Sequence, residues 1–175
     1  MKKFFYKNNK KISRGDGFTL IEVLIACFII SMTTLALMSA ASKGIELSIR
    51  ALRQAQASMI AEEGVEAVKV IRDADWNVIS SLSLNTNYYL SFNTGSNTWS
   101  LQTTPSINPT TPIDDRFTRT IVFSAVYRDD NDDIVPSSLE TPDPGTKRVT
   151  VNTSWQSQGE TISKSITFYI SNIFN

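Results

Sequence analysis

The sequence predicts an α+β chain in which one long amino-terminal helix packs on a carboxy-terminal antiparallel sheet. Three observations predict it. Residues 18–41 form an unbroken apolar run, residues 42–75 continue with helical spacing, and the region after Trp76 alternates with period two between turn residues. The expected organisation is a basic leader at 1–17, a membrane-length helical segment at 18–41, an amphipathic helix at 42–75 and a β-rich head at 76–175.

Charge sets the leader apart. The 175 residues hold 17 basic and 17 acidic side chains, a balance that hides an asymmetry. Lys2, Lys3, Lys7, Lys10, Lys11 and Arg14 stand against Asp16 alone in residues 1–17, so the remainder of the chain is net acidic. A basic tail before an acidic body gives no electrostatic footing for nucleic acid, and no nucleic-acid partner is expected.

The apolar run, Phe18 to Ala41, contains neither Pro nor Gly. As a helix it would be roughly 36 Å long, enough for a hydrocarbon core of about 30 Å. The basic residues before it place the amino terminus in the cytoplasm and the head outside, in a single pass of the cytoplasmic membrane. A secretory signal peptide would have an apolar region of only about 7–15 residues, although Ser39-Ala40-Ala41 offers small residues for cleavage. Glu22 is the one charge in the run. An ionised carboxylate near mid-bilayer costs about 2.5–3.5 kcal/mol, of which the helix macrodipole returns about 0.3–1 kcal/mol near the helix start. Snorkelling to the headgroups is the bland explanation. No cation exists within the run, so a partner for Glu22 must come from outside it.

Beyond the membrane-length segment, Ile45, Ile49, Leu52, Met59, Ile60, Val68 and Ile71 recur at helical spacings, with Ala51, Ala55, Ala57, Ala61 and Ala67 between them. Gly44 and Gly64 are expected to mark bends, at about 1 kcal/mol each relative to Ala. Unbroken from Phe18 to Asp73, the helix would be roughly 84 Å long. Glu62-Glu63-Gly64-Val65-Glu66 reads as a solvated face, with pairing to Arg50, Arg53 or Arg72 of neighbouring copies as the functional alternative.

In the head, Tyr88–Phe92 and Thr98–Gln102 flank Asn93-Thr94-Gly95-Ser96-Asn97, a hairpin signal. Pro105, Pro109 and Pro112 make residues 103–115 an irregular loop. Arg116–Arg128, Lys147–Gln156 and Thr161–Asn172 read as strands, the last two joined by a hairpin at Gln158-Gly159. Thr141-Pro142-Asp143-Pro144-Gly145 reads as turn chemistry. Strict alternation argues an antiparallel sheet with one face buried on the upper helix.

Composition also limits chemistry. Without His there is no Ser–His–Asp or Cys–His system and no imidazole ligand, and one Cys permits neither an internal disulfide nor a thiolate zinc cluster. No phosphate-cradling glycine loop and no credible carboxylate pair appears, so the chain is not expected to be an enzyme. Cys27 reads as a small hydrophobe. Trp76, Trp99 and Trp155 read as core or head-surface residues, with sugar or partner stacking as an alternative for Trp99. Asp129, Asn131, Asp133 and Glu140 fall at ligand positions of a calcium loop, but Ile134 replaces its turn glycine and Pro136 intervenes. A solvated turn is the competing explanation. Calcium is the one cofactor these residues raise.

Gly17-Phe18-Thr19-Leu20-Ile21-Glu22-Val23 after a short basic leader resembles the processing site of type IV prepilins and type II secretion pseudopilins. The resemblance covers residues 10–41, and residues 54–76 resemble a stretch of some minor-pilin-like proteins. It implies a pilin-like fold and cleavage by a prepilin peptidase between Gly17 and Phe18, with N-methylation of Phe18. It also implies that Glu22, fifth in the mature chain, pairs with the new terminal amine of a neighbouring subunit. Gly15 offers a second glycine, but only a cut after Gly17 puts Phe18 first and Glu22 fifth. The sequence departs from the family pattern at Asp16, where many members have a basic or neutral residue, and in having no Pro in the mature helix. Some pseudopilins hold calcium between strands, which bears on Asp129 and its neighbours. The implied partners are the peptidase, other pilin or pseudopilin subunits, a membrane assembly platform and, before assembly, the lipid bilayer. The implied function is that of a structural subunit, a minor one by preference, of a type IV pilus or type II secretion pseudopilus, moving from the cytoplasmic membrane into an extracellular or periplasmic filament. The alternative is a non-polymerising, membrane-anchored envelope protein with a ligand-binding head.

Overall fold

The computed structural model describes residues 17–104, 113, 116–136 and 141–173. The leader up to Asp16, most of the expected Pro-rich loop and Glu140 lie outside them. Helix α1 spans Leu20–Ala74, 55 residues, and neither Gly44 nor Gly64 interrupts it. Its hydroxyl residues do not break the apolar part because they bond to its own backbone. Ser31 Oγ donates to the Cys27 carbonyl at 2.7 Å, Thr34 Oγ1 to that of Ile30 at 2.8 Å, and Ser42 Oγ to that of Met38 at 2.9 Å.

Contacts divide the chain into two compact units, Met1–Ser48 and Ile49–Asn175. In the first, the described residues are helical from Leu20, and the apolar side chains are open, Phe18 being 81% and Leu37 72% exposed. The segment is long and apolar enough to cross a membrane.

The second unit is a helix on a sheet. Ala57, Ile60, Ala61, Gly64, Ala67, Val68 and Ile71 are the buried residues of α1, recurring at three and four as one helical face requires. This corrects the expected stripe. Ile49, Leu52 and Met59 are exposed, as is Ile45 in the first unit. Small residues take those places because the sheet approaches the helix closely. Gly64 illustrates this: a Cβ there would stand 2.9 Å from both Arg119 Cδ and Val151 Cγ1. It is a packing glycine on an unbroken helix, not a bend.

A short helix, α2 at Trp76–Ser80, follows; Asp75 caps it by accepting from the Asn77 amide at 2.9 Å. Strands β1 (Asn87–Asn93), β2 (Thr98–Gln102), β3 (Phe117–Arg128), β4 (Ile134–Val135), β5 (Thr141–Ser157) and β6 (Glu160–Ser171) form one antiparallel sheet. Its order is β2-β1-β3-β5-β6, with β4 paired to β3. The expected hairpin turns are present. Asn93 Oδ1 accepts from the Gly95 amide at 2.9 Å, and Gln158 and Gly159 adopt φ of 53° and 83°, as a two-residue hairpin loop requires. Alternation buries Phe117, Ile121 and Phe123 of β3 and Val149, Val151, Thr153 and Trp155 of β5. These close two clusters against α1: Ala57 and Ile60 with Phe117 and Trp155, then Ala61, Val68 and Ile71 with Ile121, Phe123, Val149 and Val151. Helix and β3 therefore run in the same direction.

Strand β5 begins six residues before the expected Lys147, so Thr141–Gly145 is strand and not a free turn. Tyr127 pairs with Pro142 and Arg128 with Thr141, and the register shifts between Ala125 and Val126. Pro142 is tolerated because β6 ends opposite Thr146, leaving residues 141–143 at an edge where no amide is required on that side.

Candidate functional site: the amino-terminal helix

Gly17 and Phe18 precede the helix and are exposed, and nothing lies within 4 Å of where a Gly17 Cβ would be. The carbonyl of Thr19 accepts from the amides of Glu22 at 3.0 Å and Val23 at 3.3 Å, and its Oγ1 accepts from the Glu22 amide at 3.4 Å. Thr19 is thus the N-cap, and Glu22 is the third helical residue, the spacing of a capping box. The carboxylate lies in the first turn, where unpaired amides and the macrodipole favour an anion. The sequence showed Glu22 as an intrusion into an apolar run. The structure shows it in the first turn, where a helix best accepts an acid.

The first described cation beyond Glu22 is Lys43, which pairs with Glu46 at 3.0 Å. Apolar side chains cover the helix surface around the acid: Leu20 is 79% exposed, Ile21 62% and Phe28 65%. At about 25 cal/mol per Å² of apolar area, such a surface has a strong drive to leave water. It needs lipid or other helices.

Residues 13–38 match the family model of the prokaryotic N-terminal methylation motif. This is the prepilin signature. Comparison with curated proteins and with solved structures returned no match. The motif marks type IV prepilin- and pseudopilin-like proteins, and it implies processing by a prepilin peptidase and assembly with other subunits of this type. The methylation motif and the long apolar helix fit a type IV pilin- or pseudopilin-like subunit, a structural rather than catalytic kind of protein. An apolar helix of this length is compatible with membrane anchoring.

The other sequence candidates fall in the second unit. Asp129 Oδ1 accepts from the amides of Asn131 at 2.9 Å and Asp133 at 3.0 Å, so this carboxylate organises the β3–β4 turn. Asn131 and Asp133 are exposed there, and Glu140 lies outside the described residues. Among the described residues, no three Cys, Asp or Glu side chains are grouped to hold a metal ion. Trp155 is buried beside Phe117, whereas Trp99 is half-buried, tilted against Phe92 at 4.9 Å and 5.9 Å from the Arg119 guanidinium. Glu62, Glu63 and Glu66 are exposed, with Glu66 paired to Lys69 at 2.8 Å.

Arg119 was missed. Its side chain is buried, and Nη1 donates to the Ile60 carbonyl at 2.9 Å and lies 3.5 Å from Glu63 Oε1. Burial lowers its pKa, while the Glu63 charge and hydrogen bond act the other way. The signal was available, since Arg119 occupies an inward position in the alternation Phe117, Arg119, Ile121, Phe123.

Proposed function

We propose that this chain is a structural subunit, of the minor kind, of a type IV pilus or secretion pseudopilus. It is inserted in the cytoplasmic membrane with the head outside, cut after Gly17 and N-methylated at Phe18. The cut exposes a new amine next to Thr19. Glu22 of an adjoining subunit accepts that amine as its ion-pair partner, the cation that its own segment lacks. In the filament the apolar helix passes from lipid to a core of other helices, where leaving either charge unpaired is costly. The observation that supports this reading is the methylation motif on a helix whose described apolar side chains are exposed.

Mass spectrometry of the amino-terminal peptide of the membrane-borne protein tests it. The expected peptide begins at Phe18 and is one methyl group heavier than its sequence. Replacing Gly17 by a bulky residue, Gly17→Leu, should leave the full-length precursor. A mature protein still carrying Met1 to Gly17 overturns the proposal.

A further inference from the structure

Strand β6 is an open edge of the sheet. It ends the strand order, and among the described residues its far side pairs with no strand. The other edge, β2, has 5 residues, whereas β6 has 12, with no Pro, no Gly and no register shift against β5. Ser157 and Glu160 flank the two-residue Gln158-Gly159 loop. The even-numbered residues of β6 therefore turn their amides and carbonyls to β5, and the odd-numbered ones, Thr161 to Tyr169, turn theirs outward. A row of unpaired backbone groups of this length is a template for another strand. Two cations flank it. Lys164 shares the helix-side face of β6 with Ile166 and Phe168, is half-buried and makes no ion pair among the described residues. Arg148 is paired in register with Tyr169 and is the one charged residue among the odd positions of β6 and their β5 partners. It is exposed, makes no ion pair among the described residues, and lines a groove of about 180 Å³ with Tyr127, Tyr169, Val135 and Pro136.

We propose that the open edge of β6 receives an extended strand from a different subunit, with one carboxylate beside Lys164 and a second, five positions along, reaching Arg148. Backbone pairing supplies the attraction, and charge complementarity selects the occupant. A lysine on the inner face of an edge strand repels strands that would bury it against apolar side chains, and it admits one that sets an acid opposite. The residue paired with Tyr169 on the incoming strand stands roughly 10 Å from Arg148, twice the interstrand spacing of about 4.8 Å. A glutamate and an arginine together span that distance across the Tyr169 ring. The rest of the incoming strand alternates, apolar beside Ile166 and Phe168, small and polar beside Ser165 and Thr167. A second copy of β6 does not meet these terms. Paired antiparallel from residue 160 to residue 170, two copies would set Lys164 opposite Ile166 with the other lysine diagonal to it. The register that sets Lys164 opposite Glu160 pairs only residues 160–164. This inference rests on the subunit reading above and adds which surface of the head meets a neighbour and what that neighbour carries.

The probe is the peptide Thr-Val-Glu-Val-Thr-Ile-Thr-Glu-Thr, whose glutamates stand at the required spacing, added to the full chain in detergent. Amide hydrogen exchange, read by NMR, should slow at least tenfold at Ser163, Ser165 and Thr167, while Lys164, Ile166 and Phe168, already bonded to β5, stay unchanged. Lys164→Glu with Arg148→Glu should weaken binding at least tenfold. The same peptide with lysines in place of its glutamates should bind that double variant, a rescue that misfolding does not produce. In cells that carry an assembly system, Ser165→Pro removes one outward amide and no bond to β5, a place where an edge strand tolerates proline. That variant should be cut after Gly17 like the parent yet fall at least tenfold in the sheared filament fraction. No protection by the peptide, protection indifferent to the charge swap, or Ser165→Pro in filaments at the parental level overturns the proposal and leaves the subunit reading standing. Protection that rises with protein concentration in the absence of peptide makes a second copy the occupant and also overturns it. A parent chain that keeps Met1 to Gly17 overturns the subunit reading itself, and the amino-terminal peptide tells the two failures apart.

Discussion

Gly64 and Arg119 act as one unit. Arg119 Nη1 reaches the Ile60 carbonyl, one turn before Gly64 on the same helix, and the Arg119 Cδ passes where a Gly64 Cβ would stand. A side chain at 64 has to displace the arginine stem or Val151, which is locked in the core of the sheet. Overpacking of this kind costs about 1–3 kcal/mol, and displacing the guanidinium leaves a buried charge short of partners. Gly64→Leu is therefore expected to lower stability by about 2–3 kcal/mol, read as a shift in the denaturant midpoint of the detergent-solubilised protein. Gly44 sits on the same helix with nothing within 4 Å of its missing Cβ. Gly44→Ala should raise stability by about 0.5–1 kcal/mol in that assay, because only helix propensity and unfolded-state entropy change. Equal effects at the two positions contradict this account of Gly64.

At the scale of elements, the start of β5 is held by charge as much as by its ladder. Partial burial by itself raises the Asp143 pKa, but hydrogen bonds from the Arg128 guanidinium, the Thr146 hydroxyl and the Gly145 amide outweigh it and hold the carboxyl below its usual value. The hydrogen bond to Asp143 raises the Arg128 pKa in turn, against partial desolvation, with the charges of Asp132, Asp143 and Asp133 adding to it. A carboxylate with a depressed folded pKa stabilises above its unfolded value, about 3.9, and that contribution is lost as pH falls through the folded value. Asp143→Asn should thus be less stable than the parent at neutral pH, with the difference shrinking below about pH 4; a difference independent of pH contradicts the ion pair. The same segment shows where the sequence could be read and where it could not. Period-two alternation located β3, β5 and β6 because one buried face imposes it locally. Residues 141–145 looked like a turn because Pro, Asp and Gly carry turn propensity, and only the unpaired edge and the Arg128 partner, 15 residues away, make them strand. The helix stripe was misplaced for a similar reason. Large apolar residues mark burial in a sequence, but here a close sheet selects Ala57, Ala61, Gly64 and Ala67, and that proximity is set by tertiary structure. The processing motif was legible in full because its residues are contiguous. For Arg119 the alternation showed the inward position, but not its partners, which lie some 60 positions away.

For the whole molecule, the question is what a chain does with the exposed apolar surface of its amino-terminal helix. In the bilayer that surface is satisfied and Glu22 is the penalty, softened by its place in the first helical turn. In an assembly the surface is satisfied equally well, and Glu22 becomes an asset if each copy supplies an amine to its neighbour. Apolar packing in either setting is similar, so lipid against helix gives little direction to the transfer. In the proposed assembly the charge pair would supply that direction, and a carboxylate meeting a chain end would fix the axial step between subunits. Insertion and assembly should therefore respond oppositely to removal of the acid. Glu22→Val removes a cost from insertion that is below the roughly 2.5–3.5 kcal/mol of a mid-bilayer charge, so the membrane fraction should hold or rise while sedimentable polymer is lost. Glu22→Gln, which keeps shape and polarity without charge, should behave the same way, since a neutral amide cannot balance an ammonium in a low-dielectric core. The measurement is an immunoblot of membrane and sheared high-speed pellet fractions for the parent and both variants. Polymer at the parental level in Glu22→Gln means that the acid is tolerated in the helix and does not direct assembly.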